Sequence, residues 1–266
     1  MANYTIRYKR GNFFSGFSIT NQLILINVVL FVAAIFVKNF FGEEYFLNNL
    51  AITPSLILSG TAIWSFVTSM FMHGSFFHLF ANMFSLFFIG NFLEKIIGKT
   101  RFIWIYIISG LMGGAFFVIS GTIFSNNIPG VGASGAIFGL LGVLAFLVPK
   151  SKIYLIAGPL VILVLAAILG PFFPVVYSIS NVLIILMIFA IFSFNPNIRR
   201  FAIPIELPMW ILPIVAIVPL VIIGFFVELP IGNSAHIGGL VVGVFYGFYL
   251  RKKFPKKVNM LSRHFR

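Results

Sequence analysis

Long apolar runs separated by short polar breaks set the pattern of this chain. Runs near 20 residues predict helices over 19–38, 76–97, 102–124, 134–149, 153–170, 175–194, 208–226 and 236–252. Proline, glycine, asparagine and charge clusters mark the breaks. "GPFFP" at 170–174 is a hairpin turn between two of the runs. The segment 39–72 is different, because it mixes aromatic and polar residues ("NLAITPSLILSGTAIWSFVTSMF") and reads as a long interfacial loop. At that length it is expected to be functional rather than a mere connection.

Composition turns these runs into membrane spans. The chain is 60% hydrophobic and 9% charged, with 35 Phe and a mean hydropathy of +1.09. That is the profile of an all-α polytopic membrane protein. The net charge of +13 would suggest nucleic acid in a soluble protein. Here the bases gather in short loops and ends, so no nucleic-acid partner is expected and the charge reads as orientation. With the N-terminus inside, alternation puts Lys95, Lys99, Arg101, Lys150, Lys152, Arg199, Arg200 and "RKKFPKK" (251–257) inside, and Lys38, Glu43, Glu44 and Glu228 outside. Eight crossings with both ends cytoplasmic satisfy this distribution. Six crossings with a re-entrant hairpin at 153–194 satisfy it equally. The domain plan is therefore a tail at 1–18, one membrane domain at 19–252 and a basic cytoplasmic tail at 253–266. Arg7, Lys9 and Arg10 precede an apolar run without a clear small-residue cleavage site, which reads as a first spanning helix rather than a cleaved signal.

The helix at 134–149 is short. Sixteen residues rise about 24 Å, less than a hydrocarbon core of about 30 Å. With Lys150 and Lys152 pinning its inner end, Ser134 starts a helix below the outer surface, fed by the loop "SNNIPGVGA". Irregular backbone at that depth implies a water-filled cavity open to the outside. Other polar residues map to the same leaflet. His73 stands just before the second helix, and His78 and Asn82, four apart, share a face of it. His236 starts the last helix, followed by a stripe of Gly239, Gly243 and Gly247. Gly135 and Gly139 form a matching pair on the serine helix, so the two helices can approach closely. That approach would bring the Ser134 hydroxyl to the His236 imidazole. The plain alternatives are a packing serine, an interfacial histidine, an Asn82 that bonds between helices and a solvated His264.

Elimination narrows the chemistry. There is no Cys, hence no disulfide, thiolate metal site or cysteine nucleophile. A membrane metalloprotease needs H-E-x-x-H, whereas "HGSFFH" spaces its histidines by five with no Glu. No metal and no cofactor are expected. There is no Asp, and the five acids are Glu43, Glu44, Glu94, Glu206 and Glu228, so a paired-aspartate mechanism is excluded. None of the five is placed to orient His236, so a hydrolase built here runs on a Ser–His dyad. A solute channel would carry polar residues through its full depth, yet these cluster in the outer half.

"HGSFFHLFANM" (73–83), "GASGAIFG" (132–139) and "AHIGGLVVG" (235–243) resemble the rhomboid family of intramembrane serine proteases, in the family's order. The resemblance covers about 60–149 and 204–250. It implies a six-helix core, with 153–194 inserted between the fourth and fifth core helices as two helices or a re-entrant hairpin. It implies Ser134 as nucleophile, His236 as general base and acid, and an oxyanion hole of His78, Asn82 and the Ser134 N–H. Phe138 matches an aromatic position packed on the catalytic histidine. Gly132, Gly239 and Gly243 support the approach. Trp64 matches a loop tryptophan that the family follows with Arg, where this chain has Ser65. The expected substrates are transmembrane proteins, cut near the outer leaflet of the lipid bilayer, in a prokaryotic plasma membrane. The alternative within the resemblance is an inactive relative that binds membrane helices without cutting them.

Overall fold

The computed structural model describes residues 17–156, 158, 161–162, 165–166, 169–170, 172–191, 197, 200, 203–226 and 232–264. The N-terminal tail, most of the run at 153–170 and Glu228 lie outside them. Among the described residues three helices are long and apolar enough to cross a membrane: α1 (Ile19–Phe41), the continuous helix 76–97 and α7 (Lys99–Ile123). The chain is an integral membrane protein.

Helix α1 starts where Ser18 accepts a bond from the Asn21 amide at 3.1 Å. Its exposed first amides are also met from afar. The Glu94 carboxylate accepts from Ile19 N at 2.9 Å, Thr20 N at 2.8 Å and Thr20 Oγ1 at 2.8 Å. A carboxylate at a helix N-terminus is favoured by the helix dipole, and here it also fastens two spans together. The 76–97 helix comprises α5 (Phe76–Ser85), a π-helical turn at Leu86–Gly90 and α6 (Asn91–Ile97). The turn lies against Thr20, since a Cβ on Gly90 would meet Thr20 Cγ2 at 2.8 Å.

The long segment after α1 folds into α2 (Glu43–Leu50), α3 (Pro54–Leu58), α4 (Ser65–Thr68) and a 3-10 turn at Ser69–Phe71. Its own side chains hold it. Trp64 Nε1 donates to Asn49 O at 2.7 Å, and Thr68 Oγ1 donates to Leu50 O at 3.0 Å. These bonds anchor the loop in a chain where buried Ser65 replaces the expected Arg.

Helix α8 (Ser134–Leu147) occupies the centre, and ten of its residues are buried. Helices α10 (Leu212–Phe226) and α11 (Asn233–Lys253) follow the inserted segment. The core joins Leu140, Leu144 and Leu147 of α8 to Phe102 and Tyr106 of α7, Leu93 of α6 and Leu250 of α11.

The insertion departs from an all-helical plan. Lys152–Ile156 is not helix but strand β1, paired antiparallel with β2 (Pro204–Pro208), with Lys152 opposite Pro208 and Ile156 opposite Pro204. The Lys152–Glu206 ion pair at 3.0 Å closes the ribbon. Met209 N to Ser151 O at 2.8 Å continues the pairing to its base. An apolar run such as "KIYLI" has no periodicity that separates strand from helix, and its partner lies some fifty residues away. Beyond the ribbon, helix α9 (Val175–Ile191) follows the turn at Phe172–Phe173, whose amides bond to Leu169 O at 3.1 and 2.9 Å. The basic segment after 252 carries helix α12 (Pro255–His264), which buries Val258 in the main core.

Candidate active site

The site is assembled by the junction of α8 and α11. A Cβ on Gly239 would collide with the Gly135 carbonyl oxygen, and one on Gly243 with that of Gly139. Gly142 repeats the contact one turn on, where a Cβ would meet Leu240 O and Val244 N at 2.9 Å. Only glycine lets two backbones lie this close. The third neighbour joins through Gly113 of α7, where a Cβ would stand 2.8 Å from Ala235 O.

That proximity brings the candidate pair together. Ser134 begins α8, His236 lies in the first turn of α11, and Ser134 Oγ is 2.8 Å from His236 Nε2. The separation is a hydrogen bond in which hydroxyl and imidazole exchange roles with the tautomer. Phe138, one turn after Ser134, stacks on the imidazole with centroids 4.4 Å apart and planes 19° from parallel. His236 is buried, and among the described residues its Nδ1 has no hydrogen-bond partner. Among the described residues, packing rather than a carboxylate holds this ring.

The second half of the site lies against the loop ahead of Ser134. Gly132 has φ +134°, a backbone that side-chain-bearing residues rarely adopt. A Cβ there would stand 2.8 Å from His78 Nε2 and 3.7 Å from Asn82 Nδ2, so the α5 face carrying both side chains abuts Gly132. Asn82 is buried and its Nδ2 is unpartnered among the described residues. A buried donor left free is costly unless something else accepts from it, so the group is available to a developing negative charge. The loop itself is clamped from outside. Gly132 N donates to Ser69 O at 2.8 Å, and Ile52 and Gly130 exchange backbone bonds at 2.9 and 2.8 Å.

His73 is a member of this group that sequence spacing alone did not assign. It is buried in the turn before α5 and meets the His78 ring edge-on at 5.1 Å. Burial, reinforced by neighbouring His78, pushes its imidazole down to about 3, so it is neutral at physiological pH. The signal was the motif "HGSFFH", whose spacing argues against a metalloprotease and whose first histidine stands just before the second helix with the other polar residues. Among the described residues no cluster of His, Cys, Asp or Glu is arranged to hold a metal ion.

The family model described as "Rhomboid domain" matches residues 60–183 and 178–253. The Bacillus subtilis protein named "Putative rhomboid protease YdcA" is 39% identical over 85 residues, which is 32% of this chain and 41% of that protein. Mitochondrial rhomboid protein 1 of Saccharomyces cerevisiae is 36% identical over 105 residues, 36% of this chain and 28% of that protein. "Inactive RHOMBOID-like protein 8" of Arabidopsis thaliana is 32% identical over 126 residues, 45% of this chain and 34% of that protein. The matched regions span well under half the length of these relatives.

Proposed function

The chain belongs to the rhomboid family, and we propose that it is an intramembrane serine endopeptidase acting on transmembrane helices through a Ser134–His236 dyad. One observation carries the proposal: Ser134 Oγ and His236 Nε2, 102 residues apart in the chain, lie 2.8 Å from one another. In the proposed reaction a substrate helix enters past α10 and unwinds locally. His236 Nε2 takes the hydroxyl proton as Ser134 Oγ attacks the scissile carbonyl carbon. The oxyanion is met by His78, Asn82 Nδ2 and the Ser134 amide at the α8 N-terminus, where the dipole favours negative charge. The protonated imidazole then gives its proton to the leaving amine. Water, activated by the same imidazole, hydrolyses the acyl-enzyme and frees Ser134. Gly132, Gly239 and Gly243 keep the approach open, and Phe138 steadies the base.

Cleavage near the outer leaflet, cytoplasmic termini, eight crossings or six with a re-entrant hairpin, and a prokaryotic plasma membrane belong to the same proposal. The test is cleavage of a model transmembrane substrate in detergent by the parent, Ser134→Ala and His236→Ala proteins. Parental cleavage by Ser134→Ala would overturn the nucleophile. A second reading, a helix-binding protein that does not cut, is favoured by the relative named inactive. It expects substrate capture without cleavage by the parent protein.

A further inference from the structure

On the side of α11 away from α8, a groove of about 590 Å³ runs between α7 and α11. Its walls are apolar and face outward: Trp104, Ile108 and Met112 from α7, Val241, Phe245 and Tyr249 from α11. In a bilayer such a slot accepts a hydrocarbon chain. One end of it is not apolar. Arg101 stands one turn before Trp104, and Lys253 one turn after Tyr249. The two cations gather on a single ring, with Arg101 Cζ 5.3 Å and Lys253 Nζ 5.8 Å from the Phe254 centroid. Lys253 Nζ also donates to Tyr249 Oη at 2.6 Å, which leaves the phenol hydrogen free to donate onward.

An anion placed between two like charges relieves their repulsion. Among the described residues neither Arg101 nor Lys253 has a carboxylate partner. Glu94, the acid nearest to Arg101 in sequence, is taken up by Ile19 and Thr20. An anion from outside the chain can fill this place, at the depth where a lipid headgroup lies above its own acyl chain.

We propose that the α7–α11 groove binds an anionic phospholipid, its acyl chain along Trp104, Met112 and Phe245 and its phosphate between Arg101, Lys253 and Tyr249. Lipid merely filling a greasy surface would not discriminate between headgroups, whereas two cations without a carboxylate partner among the described residues do. The bound chain rests on the helix that carries His236. It lies beside the seam where a Cβ on Gly238 would meet Met112 O at 2.8 Å. It thus clamps α7 to α11 from the side opposite the serine helix.

Trp104 reports occupancy directly. With Trp64 and Trp210 replaced by Phe, it is the sole tryptophan of the three. The full chain is placed in phosphatidylcholine vesicles containing one of two brominated-chain lipids at equal fraction, phosphatidylglycerol or phosphatidylcholine. Brominated phosphatidylglycerol should quench Trp104 with a relative association constant higher on the order of tenfold. Arg101→Gln with Lys253→Gln should erase that preference, while Arg101→Lys with Lys253→Arg should retain it. Equal quenching by the two lipids in the parent protein, or a preference that survives loss of both charges, overturns the proposal and leaves the groove to unselected lipid or a second helix. Neither arm depends on proteolysis.

Discussion

Replacing Phe138 by Leu tests how a base without a carboxylate partner is held. The ring stacks on His236 at 4.4 Å, and Nδ1 on the other side of the imidazole has no partner among the described residues. Loss of an aromatic pair removes about 0.5–1.5 kcal/mol. If that energy orients the base in the transition state, kcat falls about 2- to 13-fold. Leu keeps apolar bulk beside the ring, which limits the cavity cost that Ala would add. Phe138→Tyr, which preserves the stack, should retain parental kcat. The assay is steady-state cleavage of a model transmembrane substrate in detergent, with thermal unfolding followed in parallel to separate misfolding from misorientation. KM should hold, because the ring touches the base. Parental kcat in a folded Phe138→Leu protein would refute the reasoning. A raised KM at constant kcat would reassign Phe138 to substrate contact.

Other outcomes follow from the same geometry. Ser134→Ala should lower kcat by a factor on the order of 10⁶, read as absence of product over long incubation. Asn82→Ala should cost a factor on the order of 10²–10³ in kcat with KM little changed, and an effect on KM alone would make Asn82 a packing residue. Gly243→Val must push α11 off the Gly139 carbonyl, so both thermal stability and reactivity of Ser134 toward a fluorophosphonate probe should fall together. Glu94→Gln weakens charge-assisted bonds to Ile19 and Thr20. It should lower stability by about 1–3 kcal/mol while leaving kcat at low temperature near parental, measured by denaturant unfolding and cleavage.

The helices were legible wherever apolar composition decides structure. Helix 76–97 was read with its observed ends, and α7 and α8 came within a few residues of theirs. Helix α11 starts at Asn233, three residues earlier than its apolar pattern, because "NSA" is polar yet still helical. The ribbon of β1 and β2 was not legible, since "KIYLI" and "PIELP" are strands only because each supplies the other's hydrogen bonds. Glu94 read as an inner-face charge. Its role as acceptor for the first amides of α1 exists only once α6 and α1 pack together. Lys253 and Arg101 read as topology signals, and their convergence on Phe254 needs the antiparallel packing of α7 and α11.

By itself the sequence determined that this chain lives in a membrane, that it has no cysteine, aspartate or metal-ligand pattern, and which few polar residues break its apolar runs. Those facts follow from transfer energies and from the inventory of side-chain chemistry, which need no partner. Tertiary structure decided that Ser134 and His236 meet, at 2.8 Å. It decided too that the α5 face bearing His78 and Asn82 lies against Gly132. A hydrogen bond is a property of two groups and its range is short. The motifs name candidates, but only the glycine-to-glycine contact of α8 and α11 puts one candidate within reach of the other.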